Sequence, residues 1–224
     1  MQTTNSYAEG KVILINKPLT WSSFSAVNKI RHLIKVKKVG HAGTLDPLAT
    51  GLLIICTGKF TKKINEYMGM EKEYTGTITI GGTTPSYDLE TQPENLQDIS
   101  HITQAQIIAA TQPFIGNILQ MPPQFSAIKK NGKRLYESAR LGIEVKVEPR
   151  PVSITEFSIT KIEGAVIYFK VVCGTGTYIR SLAKDFGELL GVGGYLSSLC
   201  RTRIGQFLNQ DALTIEEFEK QVLN

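Results

Sequence analysis

Short β-branched runs alternate with helix-period segments along the whole chain, and several runs lie close enough in sequence to pair as hairpins. Residues 11–16 read as a strand ended by Pro18. Residues 21–34 read as a helix with Phe24, Val27, Ile30 or Arg31, and Ile34 on one face and Ser22 or Ser23 as cap. Residues 39–51 form a Gly/Pro-punctuated loop, 52–56 a buried strand, and 59–67 a short basic helix. Residues 73–80 alternate as a strand does. Residues 83–98 read as a polar loop, 103–110 as a helix capped by Thr103, and 121–123 as the start of an extended segment. Asn131-Gly132 is a hairpin signal, with a helix at 135–141 after it. Strands at 152–162 and 165–173 flank a turn at Glu163-Gly164. An amphipathic helix at 178–190, a strand at 195–204 and a helix at 214–222 capped by Thr214 complete the chain. This order predicts an α/β (α+β) fold with a mixed, largely antiparallel sheet flanked by helices.

Nothing in the composition favours disorder, because 42% of the 224 residues are hydrophobic. Cys56, Cys173 and Cys200 stand far apart in apolar runs, which excludes a disulfide framework and fits buried thiols. They form no metal-ligand pattern with His32, His41 and His101. No apolar run reaches membrane length and residues 1–10 lack a signal core, so a cytoplasmic protein is expected. Residues 51–59 miss the phosphate-loop pattern, since Phe60 stands where a metal-binding Ser or Thr is needed. Gly174-Thr175-Gly176-Thr177 is incomplete as a dinucleotide fingerprint.

Charge is more informative than its net value of +5. Asp46 is the single acidic residue between Glu9 and Glu66, among Lys11, Lys17, Lys29, Arg31, Lys35, Lys37, Lys38, Lys59, Lys62 and Lys63. Such a stretch attracts a polyanion, and a carboxylate within it is badly placed to bind phosphate. Gly40, Gly43 and Gly51 permit close backbone approach around it, and Pro47 stiffens the following residue. That setting suits a nucleophile or base. It also suits an Asp that caps residues 48–51 or braces the turn.

The segment His41-Ala42-Gly43-Thr44-Leu45-Asp46-Pro47-Leu48-Ala49-Thr50-Gly51 resembles the catalytic loop of the TruB family of tRNA pseudouridine synthases. Other segments match in the family's order: Ile15-Asn16-Lys17-Pro18 with Ser22-Ser23; Lys72-Glu73-Tyr74; Pro122-Pro123; Ser126-Ala127-Ile128-Lys129; Gly132-Lys133-Arg134-Leu135-Tyr136-Glu137; Ala139-Arg140; Gly176-Thr177-Tyr178-Ile179-Arg180; and Leu199 with Arg201-Thr202-Arg203-Ile204-Gly205. The likeness spans roughly residues 10–218.

The resemblance implies isomerisation of uridine 55 in the tRNA T loop, by base flipping and without cofactor or metal. Asp46 is then the nucleophile, at uracil C6 or ribose C1′, and Arg180 its ion-pair partner. Tyr74 is then a catalytic residue that stacks on the flipped uracil and takes a proton. Tyr178 and Leu199 line its pocket, and His41 contacts the T loop. Lys17, Lys129, Lys133, Arg134 and Arg140 meet RNA phosphates. The implied organisation is one catalytic domain over 1–224, with a tRNA-clamping insertion at about 121–151 and no C-terminal PUA-type domain. A monomer acting on the tRNA T loop and stem, away from any membrane, is expected. Cys200 departs from the basic residue many members carry. The alternatives are a tRNA-binding or tRNA-folding module without chemistry, or the same chemistry on another RNA.

Overall fold

The computed structural model describes residues 6–126, 129–130, 133–135, 141, 143 and 145–223. They fall into two compact units, one of residues 1–75 with 199–224 and one of residues 76–198. In chain order the elements are α1 (Ser6–Glu9), β1 (Val12–Lys17), α2 (Ser23–Ile34), β2 (Val39–Ala42), β3 (Ala49–Thr57), a 3-10 segment (Gly58–Lys63), α3 (Ile64–Gly69) and β4 (Lys72–Ile80). Then come α4 (Gln104–Ala109), β5 (Gly116–Gln120), β6 (Lys129–Lys130), β7 (Lys133–Arg134), β8 (Arg150–Glu163) and β9 (Val166–Cys173). Last are α5 (Ile179–Leu189), β10 (Gly194–Ile204), β11 (Phe207–Leu208) and α6 (Ile215–Leu223). The architecture is the mixed, mostly antiparallel sheet with flanking helices that the alternating pattern predicts.

In the first unit β3 is the organising strand. It pairs antiparallel with β1, from Val12↔Cys56 to Lys17↔Gly51. Its last residues pair antiparallel with β2, from Val39↔Thr57 to Ala42↔Ile54. Its first residues pair parallel with β10, as Leu199↔Ala49, Cys200↔Thr50 and Arg201↔Gly51. Leu52 to Cys56 are all fully buried because both faces are covered. Leu53 and Ile55 pack with Ile13, Ile15, Val27, Ile30, Ile34, Ile215 and Phe218. Leu52, Ile54 and Cys56 pack with Ala42, Tyr67 and Ile204 on the other side.

Helix α2 starts where Ser22 accepts a hydrogen bond from Ser25 N at 2.9 Å. Its buried face is Ser23, Ala26, Val27, Ile30 and Ile34. Phe24 departs from the expected face and is 65% exposed. A helical stripe centred on Val27 and Ile30 also takes Ala26 and Ser23, which turns position 24 outward. The expected loop at 39–51 is shorter than its glycines suggest, because β2 and the start of β3 occupy both ends. Thr214 accepts from Glu217 N at 3.2 Å and Glu217 answers Thr214 N at 2.8 Å, so α6 opens on a capping box.

The second unit contains the strand order β10-β4-β9-β8-β5, from the parts of β10 and β4 that lie in it. β8 and β9 form the hairpin expected from Glu163-Gly164, with register shifts near Thr155 and Thr160. β5, not anticipated from sequence, pairs antiparallel with β8 from Gly116↔Ile154 to Gln120↔Arg150. The core centres on Phe157, whose ring meets Phe169 at 6.2 Å and Phe186 of α5 at 5.5 Å. Gly187 of α5 lies so close to β10 that a Cβ there would stand 2.1 Å from Gly194 N. Thr103 caps α4 with a capping box. Lys129↔Arg134 and Lys130↔Lys133 pair as a small ladder. The Asn131-Gly132 turn, most of the helix expected at 135–141, and Arg140 lie outside the described residues.

Candidate active site

Asp46 sits half-buried in the 43–48 connection between β2 and β3, next to the point where β10 begins to pair with β3. Three anchors hold that connection. Ser23 uses its one hydroxyl twice, donating to Leu45 O at 3.0 Å and accepting from Leu45 N at 2.8 Å. Thr20 N donates to Pro47 O at 2.8 Å. The Asp46 carbonyl accepts from Ala49 N at 3.0 Å, closing a turn through the backbone.

The third anchor is Arg201, which sequence reasoning passed over. It is 1% exposed, and its Nε donates to Leu52 O at 2.8 Å and its Nη2 to Gly43 O at 3.1 Å. Gly43 has φ 91° and Gly51 φ 99°. A Cβ on Gly51 would stand 2.4 Å from Arg201 O, so glycine is needed there for close strand contact as well as for conformation.

Lys17 lies on the same strand face as Ile13 and Ile15, and it is fully buried. Its ammonium donates to Pro18 O at 3.0 Å and to Trp21 O at 2.5 Å. The expectation that Lys17 meets RNA phosphate fails on this burial. Period-two alternation from Ile13 was the signal that places it inside. Burial pushes its pKa down to about 8, while the Asp46 carboxylate works in the opposite direction and Arg201 adds to the lowering. Asp46 is therefore within electrostatic reach of a buried ammonium in its own unit.

A depressed lysine makes the native state release its proton before the unfolded chain does, so stability rises with pH above about 8. Burial moves the Cys56 thiol up from 9.0 to about 11, which lowers stability as pH rises above 9.0. The urea midpoint is therefore expected to climb between pH 8 and 9. Lys17→Met is expected to flatten that climb, and an unchanged climb in the variant contradicts the assignment.

His41 is on β2, opposite Ile55. Burial lowers its pKa, a backbone hydrogen bond at Gly43 opposes this, and the charge of Arg201 adds to the lowering. A neutral ring suits contact with a base better than contact with a phosphate. Leu199 is half-buried beside Ala49, and its carbonyl accepts from Thr50 Oγ1 at 3.3 Å. Tyr74 is 8% exposed on β4.

Arg180 and Tyr178 belong to the second unit. Arg180 is 4% exposed at the start of α5. Its Nη2 donates to Phe125 O at 2.8 Å, its Nη1 to Ser86 O at 3.3 Å, and its Nε lies 3.6 Å from Asp88 Oδ2. Asp88, 5% exposed, was not anticipated, because it belongs to a loop that reads as merely acidic. A cation at a helix N-terminus is unfavourable, and this buried carboxylate offsets that cost. The Gln120 side chain brackets Tyr178, accepting from Tyr178 N at 2.8 Å and donating to Tyr178 O at 3.0 Å. Lys129, Lys133 and Arg134 lie on the β6–β7 ladder. Among the described residues no group of three His, Cys, Asp or Glu can hold a metal ion. No helix among them is long and apolar enough to cross a membrane.

Comparison with known proteins decides the family. Residues 31–179 match the TruB family pseudouridylate synthase N-terminal domain, and residues 180–224 the tRNA pseudouridylate synthase B C-terminal domain. The chain belongs to the TruB family. It is 54% identical to a tRNA pseudouridine synthase B of Flavobacterium johnsoniae, over 98% of this chain and 99% of that one. Identity to the protein of the same name from Phocaeicola vulgatus is 48%, over 95% and 93%. Among solved structures, a chain of a Cbf5-Nop10-Gar1 complex superposes with a TM-score of 0.75 at 28% identity. That match covers 96% of this chain and 54% of the other, so this TruB-family chain spans about half of it. A chain of an H/ACA RNP bound to a substrate RNA containing 2′-deoxyuridine matches at 25% identity and TM-score 0.73, over 98% and 55%.

Proposed function

We propose that this chain isomerises uridine 55 in the T loop of tRNA to pseudouridine, with Asp46 as the nucleophile. As a TruB-family member it is an isomerase that makes pseudouridine in tRNA. The observation that carries the assignment of Asp46 is its setting. Asp46 follows a Leu45 backbone doubly hydrogen-bonded by Ser23, lies within electrostatic reach of buried Lys17, and is the one acid in the sequence between Glu9 and Glu66. A neighbouring cation favours the ionised form that a nucleophile needs.

The reaction breaks the bond from ribose C1′ to N1 and forms one from C1′ to C5. N1 gains a proton and C5 loses its hydrogen. The base must leave the stack, at about a few kcal/mol, and contacts to the RNA backbone offset this. In this reading Tyr74 and Arg180 carry the roles the resemblance implies, His41, Tyr178 and Leu199 receive the base and its loop, and residues 121–151 clamp the RNA. The protein acts as a monomer in the cytoplasm.

Because C5 loses its hydrogen, unmodified tRNA tritiated at uridine C5 is expected to release tritium to water, with a plateau of one site per tRNA. No release, or a plateau of several sites, contradicts the proposal.

A further inference from the structure

The outer face of α2 has no role in the site described above. Phe24 is 65% exposed on the first turn and Leu19, just before the helix, is 53% exposed. The same face continues through Asn28 to exposed His32 and Lys35, and then to exposed Lys37 and Lys38. From Phe24 to Lys35 the helix rises about 17 Å, long enough to lie along several phosphates. Lys35 ends the helix in a left-handed conformation at φ 55°, which turns the chain towards Lys37 and Lys38.

The acidic residue nearest in sequence is Asp46, and the Glu219 carboxylate of α6 is engaged at 2.7 Å by Lys29. Arg31 is turned inward, donating to Asn28 Oδ1 at 2.6 Å and Val39 O at 3.2 Å. The strip is also mechanically joined to the candidate site. Ser23, beside Phe24, holds Leu45, and Thr20, beside Leu19, holds Pro47.

We infer that this face of α2 is a second RNA-docking strip, on which Phe24 stacks against an unpaired base of the substrate while Lys35, Lys37 and Lys38 meet its phosphates. An exposed aromatic followed by acid-free basic residues fits a nucleic-acid strand. A protein partner would be expected to bring acids and a larger apolar area. The inference rests on the RNA substrate proposed above.

The test measures binding of an unmodified tRNA transcript to the full chain at several salt concentrations, alongside steady-state turnover. Phe24→Ala is expected to weaken binding about tenfold, within the range for loss of one base stack. Phe24→Trp is expected to retain affinity, and Phe24→Leu to lose it as Ala does. Replacing Lys35, Lys37 and Lys38 together by Ala is expected to reduce the slope of log K against log salt by about two to three. The losses are expected in KM far more than in kcat. Wild-type affinity in Phe24→Leu overturns the stacking contact, and an unchanged salt slope in the triple variant overturns the phosphate contacts. If the wild-type chain binds tRNA but makes no pseudouridine, the proposed reaction fails while the docking strip is still decided by the binding data.

Discussion

Asp46→Asn is expected to abolish pseudouridine formation while tRNA binding is retained or slightly strengthened. The amide matches the carboxylate in size, and the turn at this position is closed by the Asp46 backbone carbonyl, which the substitution leaves in place. Ser23 still holds Leu45 and Thr20 still holds Pro47. What disappears is the ionised oxygen. Loss of a nucleophile commonly costs on the order of 10⁵-fold or more in turnover. Binding benefits because one negative charge leaves a basic surface. The competing role for Asp46, bracing the turn, makes the opposite forecast: Asn braces a turn nearly as well, so turnover would survive. Single-turnover assays at saturating tRNA, with Kd measured in parallel, separate the two.

Arg201→Met is expected to have the second largest effect, on stability and turnover together. The guanidinium is 1% exposed and donates to two backbone carbonyls, Gly43 O before Asp46 and Leu52 O after it. Methionine fills much of the volume but leaves both acceptors without a donor, at about 1–3 kcal/mol for each buried group. The Asp46 connection then loses one of its anchors. A displacement of about 1 Å in reacting groups can cost about 100-fold. Arg201 acts through the loop, so it is a positioning residue. Two readouts distinguish that role from simple loss of folding. Below its melting temperature the variant is expected to show lower kcat with nearly unchanged KM, and Arg201→Lys is expected to restore part of kcat. A variant as stable and active as wild type contradicts the anchor.

Much of the fold was legible because its determinants are local. The unbroken apolar run from Leu52 to Cys56 announced a strand covered on both faces, and the Ser22-Ser23 pair, Thr103 and Thr214 announced three helix starts. Phe24 was misread because a stripe of small residues, Ser23 and Ala26, takes the inner face instead. Lys17 shows how one signal can mask another. Its charge suggested surface, while the alternation with Ile13 and Ile15 placed it inside. The site was less legible where its contacts are long-range. The Arg201 bond to Gly43 joins residues 158 apart in sequence, and the Gln120 bracket on Tyr178 joins residues 58 apart. Asp88 beside Arg180 is of the same kind. Local spacing carries no record of such pairs, and only the assembled strands bring them together.

The most direct test of the central claim is position-resolved mapping of pseudouridine in unmodified tRNA after incubation with the wild-type chain. Conversion confined to uridine 55 is the predicted result. Absence of pseudouridine, or its formation at another position, would contradict the account.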